Sequence, residues 1–363
     1  MKRFNPERAR KKRGLRAGTP QIHFFPARDG KTLRLTRYNM DGAAKKGPVL
    51  FTHGLGVSSQ IFSIDTIDTN LLEYLCERGF DCWLLDFRAS IDLPYAKDRW
   101  TADDCARFDY QPAVDHILAH SGATSVQVMA HCFGSTTFVM SVLGGHLTGV
   151  RSAVISQIAA DVLVPLLPQR LLAFLRLPSL LDKLGIGFVN ARATTEQGFA
   201  NRAVDALIRI AVPFKRDARS RNATSNRITA LYGQLYELDQ LNALTFDSGL
   251  AEMFGEANID AFKQLARFAR KTVLVDANGE DSYMPHLDRL AFPICFIHGA
   301  ENGCFKPEST ARTMEKLVAR NGGRLYERHL IPNYGHIDCI FGKNAAIDVY
   351  PKIHEHLEKS ATA

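Results

Sequence analysis

The chain has 363 residues, 46% hydrophobic and 23% charged, the balance of an ordinary globular protein large enough to bury a sizeable core. Its formal charge of +7 points to no acidic partner for the folded part. Lys2, Arg3, Arg8, Arg10, Lys11, Lys12, Arg13 and Arg16 carry eight positive charges against a single acid, Glu7; without them the 45 basic and 38 acidic residues fall to 37 of each. The basicity therefore belongs to a tail, expected over 1–20 as a solvated disordered arm that can be removed without touching a catalytic site. No nucleic-acid partner is expected. No apolar core follows the basic start, so the start is not a secretory signal, and no apolar run is long enough to span a bilayer. Seven scattered cysteines without a CxxC spacing argue for reduced thiols in a cytoplasm. No His, Asp and Glu cluster stands out at ligand spacing, so neither a metal nor a cofactor is expected. A homo-oligomer stays open.

In chain order, Ile22 to Met40 reads as two antiparallel strands joined at the RDGKT turn (28–32). Residues 48–52 form a short apolar strand opening into His53-Gly54, and 70–78 a helix closed by Gly79. A strand over 81–87 and a helix over 111–120 follow. The strand 126–130 runs through 131–134 into a helix at 135–143, and 153–158 is the next strand. Strands alternating with helices of this length imply an α/β fold, a mostly parallel sheet with helices on both faces. The alternation stops from 161 to 290, where the chain is helical in character. It resumes with a strand at 293–298, a helix at 308–320, a strand at 324–331 and a last helix at 345–359. The core is thus 21–160 with 291–363, and 161–290 is an inserted helical cap.

The sharpest local signal is Ala130-His131-Cys132-Phe133-Gly134. A nucleophile on a strand-to-helix turn needs small residues two places before and after it, which Ala130 and Gly134 supply. The helix that follows aims N–H groups and its positive end at the thiol, which predicts a lowered thiol pKa and a thiolate–imidazolium pair. The loop His53-Gly54-Leu55 sets the Leu55 N–H opposite that of Phe133 as an oxyanion hole. His336, after Gly335 near the C-terminus, falls where the base is expected. The place of the orienting acid is taken by Asn302, which a cysteine enzyme tolerates because a neutral amide still aligns the ring. Glu301 and Asp161 stand as alternative acids.

These residues resemble the α/β-hydrolase superfamily over nearly all of the chain after the tail. The blocks DGKTLRLTRYNM, GPVLFTHGLGVSS and ERGFDCWLLDFRAS look like the acid-lipase branch and like the hydrolase domain attached to some cholesterol-oxidase-like proteins. The HCFGSTTF box and GHI (335–337) are similar to those of polyhydroxyalkanoate synthases, which use Cys, Asp and His; Asn302 departs from that aspartate. The expectation is a cysteine acyl hydrolase, an esterase or thioesterase, acting on a lipophilic substrate through an acyl-enzyme. Leu163, Leu166, Leu171, Leu172, Phe174 and Leu175 would form its lid or else a plain helical packing face, and Arg170 and Arg176 are expected to be solvated rather than to meet an anionic group of the substrate. An acyltransferase or polymer synthase using the same cysteine is the rival within enzymes. A ligand-binding protein on a retired hydrolase scaffold is the rival outside them.

Overall fold

The computed structural model describes residues 12–165, 177–193 and 221–361. Three apolar runs, Pro48–Thr52 (β3), Asp81–Asp86 (β4) and Val126–His131 (β5), are buried along their whole length, as strands covered on both faces must be. They lie in the middle of an eight-stranded sheet. Gln21–Pro26 (β1) and Thr32–Tyr38 (β2) form one edge, while Val150–Ser156 (β6), Ile294–Gly299 (β9) and Tyr326–Ile331 (β10) complete the other side. The order is β1-β2-β4-β3-β5-β6-β9-β10. The β1–β2 and β2–β4 pairs are antiparallel and all others parallel.

Alternation along each strand divides the core in two. Leu50 and Val128 face one side with helices Ala102–Phe108 (α2), Tyr110–Ser121 (α3) and Phe133–Leu143 (α4). Phe51 and Met129 face the other, with helix Leu71–Cys76 (α1) and the C-terminal helix Tyr350–Lys359. The α/β architecture with helices on both faces is the one expected. The differences are local and have causes. Helix α2 is unforeseen; a capping box between Thr101 and Asp104 starts it. The single helix expected at 345–359 is two, Ala345–Asp348 and Tyr350–Lys359, because Pro351 lacks the N–H that a continuous helix needs. Strand β6 ends at Ser156 and the backbone turns away at Gln157, whose φ is 79°.

Between β6 and β9 the described residues form helices Leu177–Lys183, Ala223–Tyr232, Leu250–Met253 and Ile259–Lys271. They also form a small ribbon of Phe188–Asn190 (β7) with Glu256–Asn258 (β8), separate from the main sheet. Among the described residues no helix is long and apolar enough to cross a membrane.

Residues 12–16, expected as the end of a solvated tail, are held by the fold. Lys12 pairs with Glu252 at 2.9 Å and Arg16 with Glu77 at 3.1 Å. Arg13 reaches both Glu73 oxygens at 2.6 and 2.7 Å and donates to the Ile67 carbonyl. Glu73 is wholly buried and also closes the capping box of α1 with Asn70. Burial alone would raise its carboxyl, but the Arg13 bond and the N–H groups of Arg16 and Asn70 outweigh that and hold it below the usual glutamate range. Arg13→Ala, or deletion of 1–16, is therefore expected to cost about 1–3 kcal/mol, less than a fully buried pair because Arg13 is partly exposed. The deficit should be present above the unfolded carboxyl value of about 4.3 and shrink as pH falls through the lower folded value. Urea unfolding of both proteins at pH 7 and pH 3 checks this.

Candidate active site

Strand β5 ends at His131 and the chain reverses into α4 at Cys132, whose φ of 56° and ψ of −124° are those of no ordinary L-residue. Such a turn stores about 1–3 kcal/mol of strain and persists only where its surroundings enforce it. The enforcement is the close contact of two loops. A Cβ on Gly134 would sit 2.5 Å from the His53 carbonyl oxygen, and one on Gly54 would sit 3.1 Å from the Cβ of Cys132. With the loops this near, the backbone N–H groups of Leu55 and Phe133 both reach the Cys132 sulfur. Ala130 packs within the sheet, and the rings on either side of the turn are buried. His131 meets Ser156 Oγ through Nδ1 at 3.1 Å, and His53 meets its neighbouring Gly54 carbonyl at 2.8 Å.

Two further loops carry the rest. A Cβ on Gly299 would collide with the Gly335 carbonyl, so glycine is what lets the loop after β9 lie against the loop after β10. This contact brings Asn302 to His336, with Asn302 Nδ2 3.1 Å from His336 Nδ1. The Asn302 amide has one possible orientation. Its Oδ1 accepts the N–H groups of Cys304 and Phe305 at 2.9 and 3.0 Å, and its Nδ2 donates to Gln157 Oε1 at 3.0 Å. It therefore donates to His336 Nδ1, which must be a lone pair, and the ring proton of His336 sits on Nε2. That polarity is the reverse of the neutral-amide triad expected from sequence, in which the amide oxygen receives an imidazole N–H. His336 Nε2 is buried, has no hydrogen-bond partner among the described residues, and lines the same cavity as Cys132.

The electrostatics also differ from expectation. Burial pushes the Cys132 thiol up to about 12, and the N–H groups of Phe133 and Leu55 offset only part of that. Burial likewise drives His336 well below the ordinary imidazole value, with His131 and His298 adding to it. His131 falls to about 3 and His298 to about 4, both chiefly through burial. The lowered thiol pKa and resting thiolate–imidazolium pair inferred from the helix start are thus overturned. A helix end and two N–H groups do not match the desolvation of a thiol among neutral rings. Among the described residues no carboxylate bonds to His336. Glu301 is exposed, and Asp161 is engaged by Lys316 at 2.6 Å and Thr313 at 3.2 Å.

Sequence reasoning missed four side chains here. Gln157, at its positive φ, fixes the Asn302 amide, and His298 lies 3.3 Å from Asn302 Nδ2. Asp338 accepts the N–H groups of Gly335 and Glu237, tying the His336 loop to the insert, and burial raises its carboxyl to about 7. Tyr232, from the insert, presents to the same cavity a buried hydroxyl that has no partner among the described residues, directed at Gly56 of the Leu55 loop. A non-glycine at positive φ leaves no mark in the sequence, and neither does a tyrosine a hundred residues from the cysteine it faces.

The cavity has a volume of about 190 Å³. Leu55, Val57 and Phe133 wall it from the core, and Leu181, Leu231 and Phe262 from the insert. Leu163, expected in the lid, is pinned instead through its backbone to Lys306 and Ser309. Leu166, Arg170, Leu171, Leu172, Phe174, Leu175 and Arg176 lie outside the described residues. Alkylation of Cys132 by iodoacetamide is expected to accelerate with pH through 9 and beyond, without a plateau near or below the free-thiol value of ~8.5. Mass spectrometry of the modified peptide across pH 6 to 10 checks this, and a plateau below pH 8 would contradict it.

A model of the alpha/beta hydrolase fold matches residues 47–343. Over 131 residues the chain is 28% identical to Lipase lipl-5 of Caenorhabditis elegans, a match covering 32% of this chain and 32% of that protein. Over 112 residues it is 24% identical to Sterol esterase 2 of Saccharomyces cerevisiae, covering 28% of this chain and 21% of that protein. The matches thus span about a third or less of these curated relatives. The structure superposes on the Pyrococcus furiosus esterase Pf2001 with a TM-score of 0.55 and 12% identity, over 99% of this chain and 98% of the other. At that identity the likeness is one of fold.

Proposed function

Because the chain belongs to the alpha/beta hydrolase fold family, we propose that it is an acyl hydrolase of lipophilic esters or thioesters with Cys132 as its nucleophile. The observation that carries this reading is the strained Cys132 turn with the Leu55 and Phe133 N–H groups converging on its sulfur. A thiol on such a turn is held for attack, and two backbone donors beside it suit a tetrahedral oxyanion. The sulfur attacks the carbonyl carbon, the thiol proton passes to His336 Nε2, and the leaving alcohol or thiol takes that proton away. The acyl group then moves from sulfur to water or another acceptor, the second choice making the chain an acyltransferase or a polymer synthase. The apolar walls suit the acyl part, and lipase and esterase names among the relatives favour a lipophilic ester. Seven free thiols fit a reducing cytoplasm.

The resting polarity sets a condition on this chemistry. For His336 Nε2 to accept a proton, the ring proton must first move to Nδ1 and the Asn302 amide must turn to receive it. Turning it leaves the Cys304 and Phe305 N–H groups facing an NH2 group without an acceptor, about 1–3 kcal/mol each. The switch therefore costs roughly 30-fold in rate at the least and up to about 20,000-fold. The same polarity favours a second reading, a ligand-binding protein, since two unpartnered neutral groups, His336 Nε2 and Tyr232 Oη, face an apolar cavity.

Intact mass spectrometry after exposure to activated acyl esters separates the two. The wild type is expected to gain one acyl group, and Cys132→Ala none. Asn302→Asp, which offers an acceptor to Nδ1–H, should acylate about tenfold faster or more. If the wild type gains no acyl mass and Asn302→Asp gains none either, the ligand-binding reading replaces the enzymatic one.

A further inference from the structure

The end of the sheet remote from Cys132 holds a second concentration of chemistry. Helix α3 leads into β5 through residues 122–125, so its last turn lies beside the start of that strand, whereas Cys132 follows the strand's end. His116 and His120, four residues apart on α3, share one helix face. His23 on β1 meets them. Its ring centroid is 5.1 Å from that of His116 and 5.0 Å from that of His120, and the two helix rings stack at 4.0 Å. One nitrogen of each ring lies within 4.8 Å of those of the other two.

The free nitrogens can be identified. His120 Nδ1 lies 2.7 Å from the His116 carbonyl oxygen, which can only accept, so Nδ1 carries the hydrogen and Nε2 keeps its lone pair. Among the described residues, the Nε2 atoms of His23 and His116 are buried without a hydrogen-bond partner. Leaving such groups unsatisfied costs free energy, and rings stacked this closely do not readily take up protons together. A cation shared by the three lone pairs resolves both problems.

We propose that His23, His116 and His120 form a three-imidazole site for a divalent transition-metal cation of zinc-like chemistry, with its fourth position left to water. Imidazole suits Zn, Cu and Ni, and a ligating histidine whose other nitrogen bonds a backbone carbonyl is the usual arrangement, already present at His120. With Zn–N of about 2.0–2.1 Å the ligand nitrogens stand about 3.3 Å apart, so small side-chain rotations close the site. The repulsion of the nearby Arg37 guanidinium is offset in part by Asp81, which pairs with it at 2.8 and 2.9 Å. The ion would tie β1, an edge strand bonded in the sheet to β2 alone, to helix α3. The proposal departs from the expectation, drawn from the sequence, that no metal is held. The visible half of the signal was the four-residue spacing of His116 and His120; His23 is supplied by the fold.

A second group of possible ligands, Cys295, Glu327 and His329, provides the control; its Glu327 is already committed to His356 and Lys359. The test uses the full chain, purified without a histidine tag, stripped with a chelator and titrated calorimetrically with Zn2+. One equivalent is expected to bind and to raise the thermal midpoint. His120→Ala and His116→Gln should each weaken binding by more than about 100-fold and abolish the midpoint shift. His329→Ala should bind as the wild type does. Because the His120 side chain is exposed, the zinc-free midpoint of His120→Ala should stay near wild type, which separates ligand loss from misfolding. The proposal is overturned if the wild type takes up no stoichiometric zinc, if His120→Ala binds undiminished, or if binding is lost with His329→Ala instead.

Discussion

The Asn302 side-chain amide fixes the protonation of the whole candidate site. Two backbone N–H groups hold its oxygen and Gln157 holds its nitrogen, so a third partner, His336 Nδ1, has no choice but to accept. A carboxylate here would have accepted an N–H, left Nε2 basic and lent the ring a negative neighbour. The amide does the opposite on all three counts. A buried histidine without a counter-charge stays neutral, and a buried thiol without a cation stays protonated. The high thiol value and the low imidazole values around it are one effect seen from two sides.

That protonation state rests on backbone packing more than on side chains. Four loops, after β3, β5, β9 and β10, approach closely enough that glycine is needed at Gly134 and Gly299 and that a side chain at Gly54 would press on Cys132. The strain at Cys132 and at Gln157 is carried by the same contacts. The insert completes the enclosure: Tyr232 and Leu231 close one wall, and Asp338 links the His336 loop to Glu237. Enclosure is also what dries the site. Removing water strengthens the two N–H donors for an oxyanion, whose charge they would share, while penalising the resting thiolate. A site of this kind keeps its charge for the moment of reaction.

Much of the fold was legible because its signals are local. Apolar alternation located the edge hairpin and short apolar runs the central strands, and glycine marked the ends of helices and the loops at the site. Cys132, His336, Asn302, Leu55 and Phe133 were proposed from spacing and chain order; the structure sets Cys132, His336, Leu55 and Phe133 on one cavity and Asn302 beside His336. What could not be read was polarity and solvation. Whether an asparagine offers oxygen or nitrogen depends on Cys304, Phe305 and Gln157, the last of them 145 residues away. Whether a helix start lowers a thiol's pKa depends on how much water remains, which no spacing records. The fate of Arg13 was hidden in the same way, since nothing near it in sequence reveals the buried Glu73 that claims it.

The histidines make the same distinction at both ends of the sheet. At the carboxyl ends of the strands, His336 Nδ1 is satisfied by an amide hydrogen, so the nitrogen it presents to the cavity bears a proton and donates. At the amino ends, His120 Nδ1 is satisfied by a carbonyl oxygen, so the nitrogen it presents is a lone pair. One arrangement suits an acceptor such as a carbonyl or carboxylate oxygen, and the other suits a cation. Both follow from a single backbone or side-chain partner on the far nitrogen, and the intervening length of β5 separates them. A cation bound beside β1 would act on the sheet edge and leave the neutral ring beside Cys132 as it is. His336 and His120 are thus distinguished by the partner of their second nitrogen, and composition alone could not have divided them.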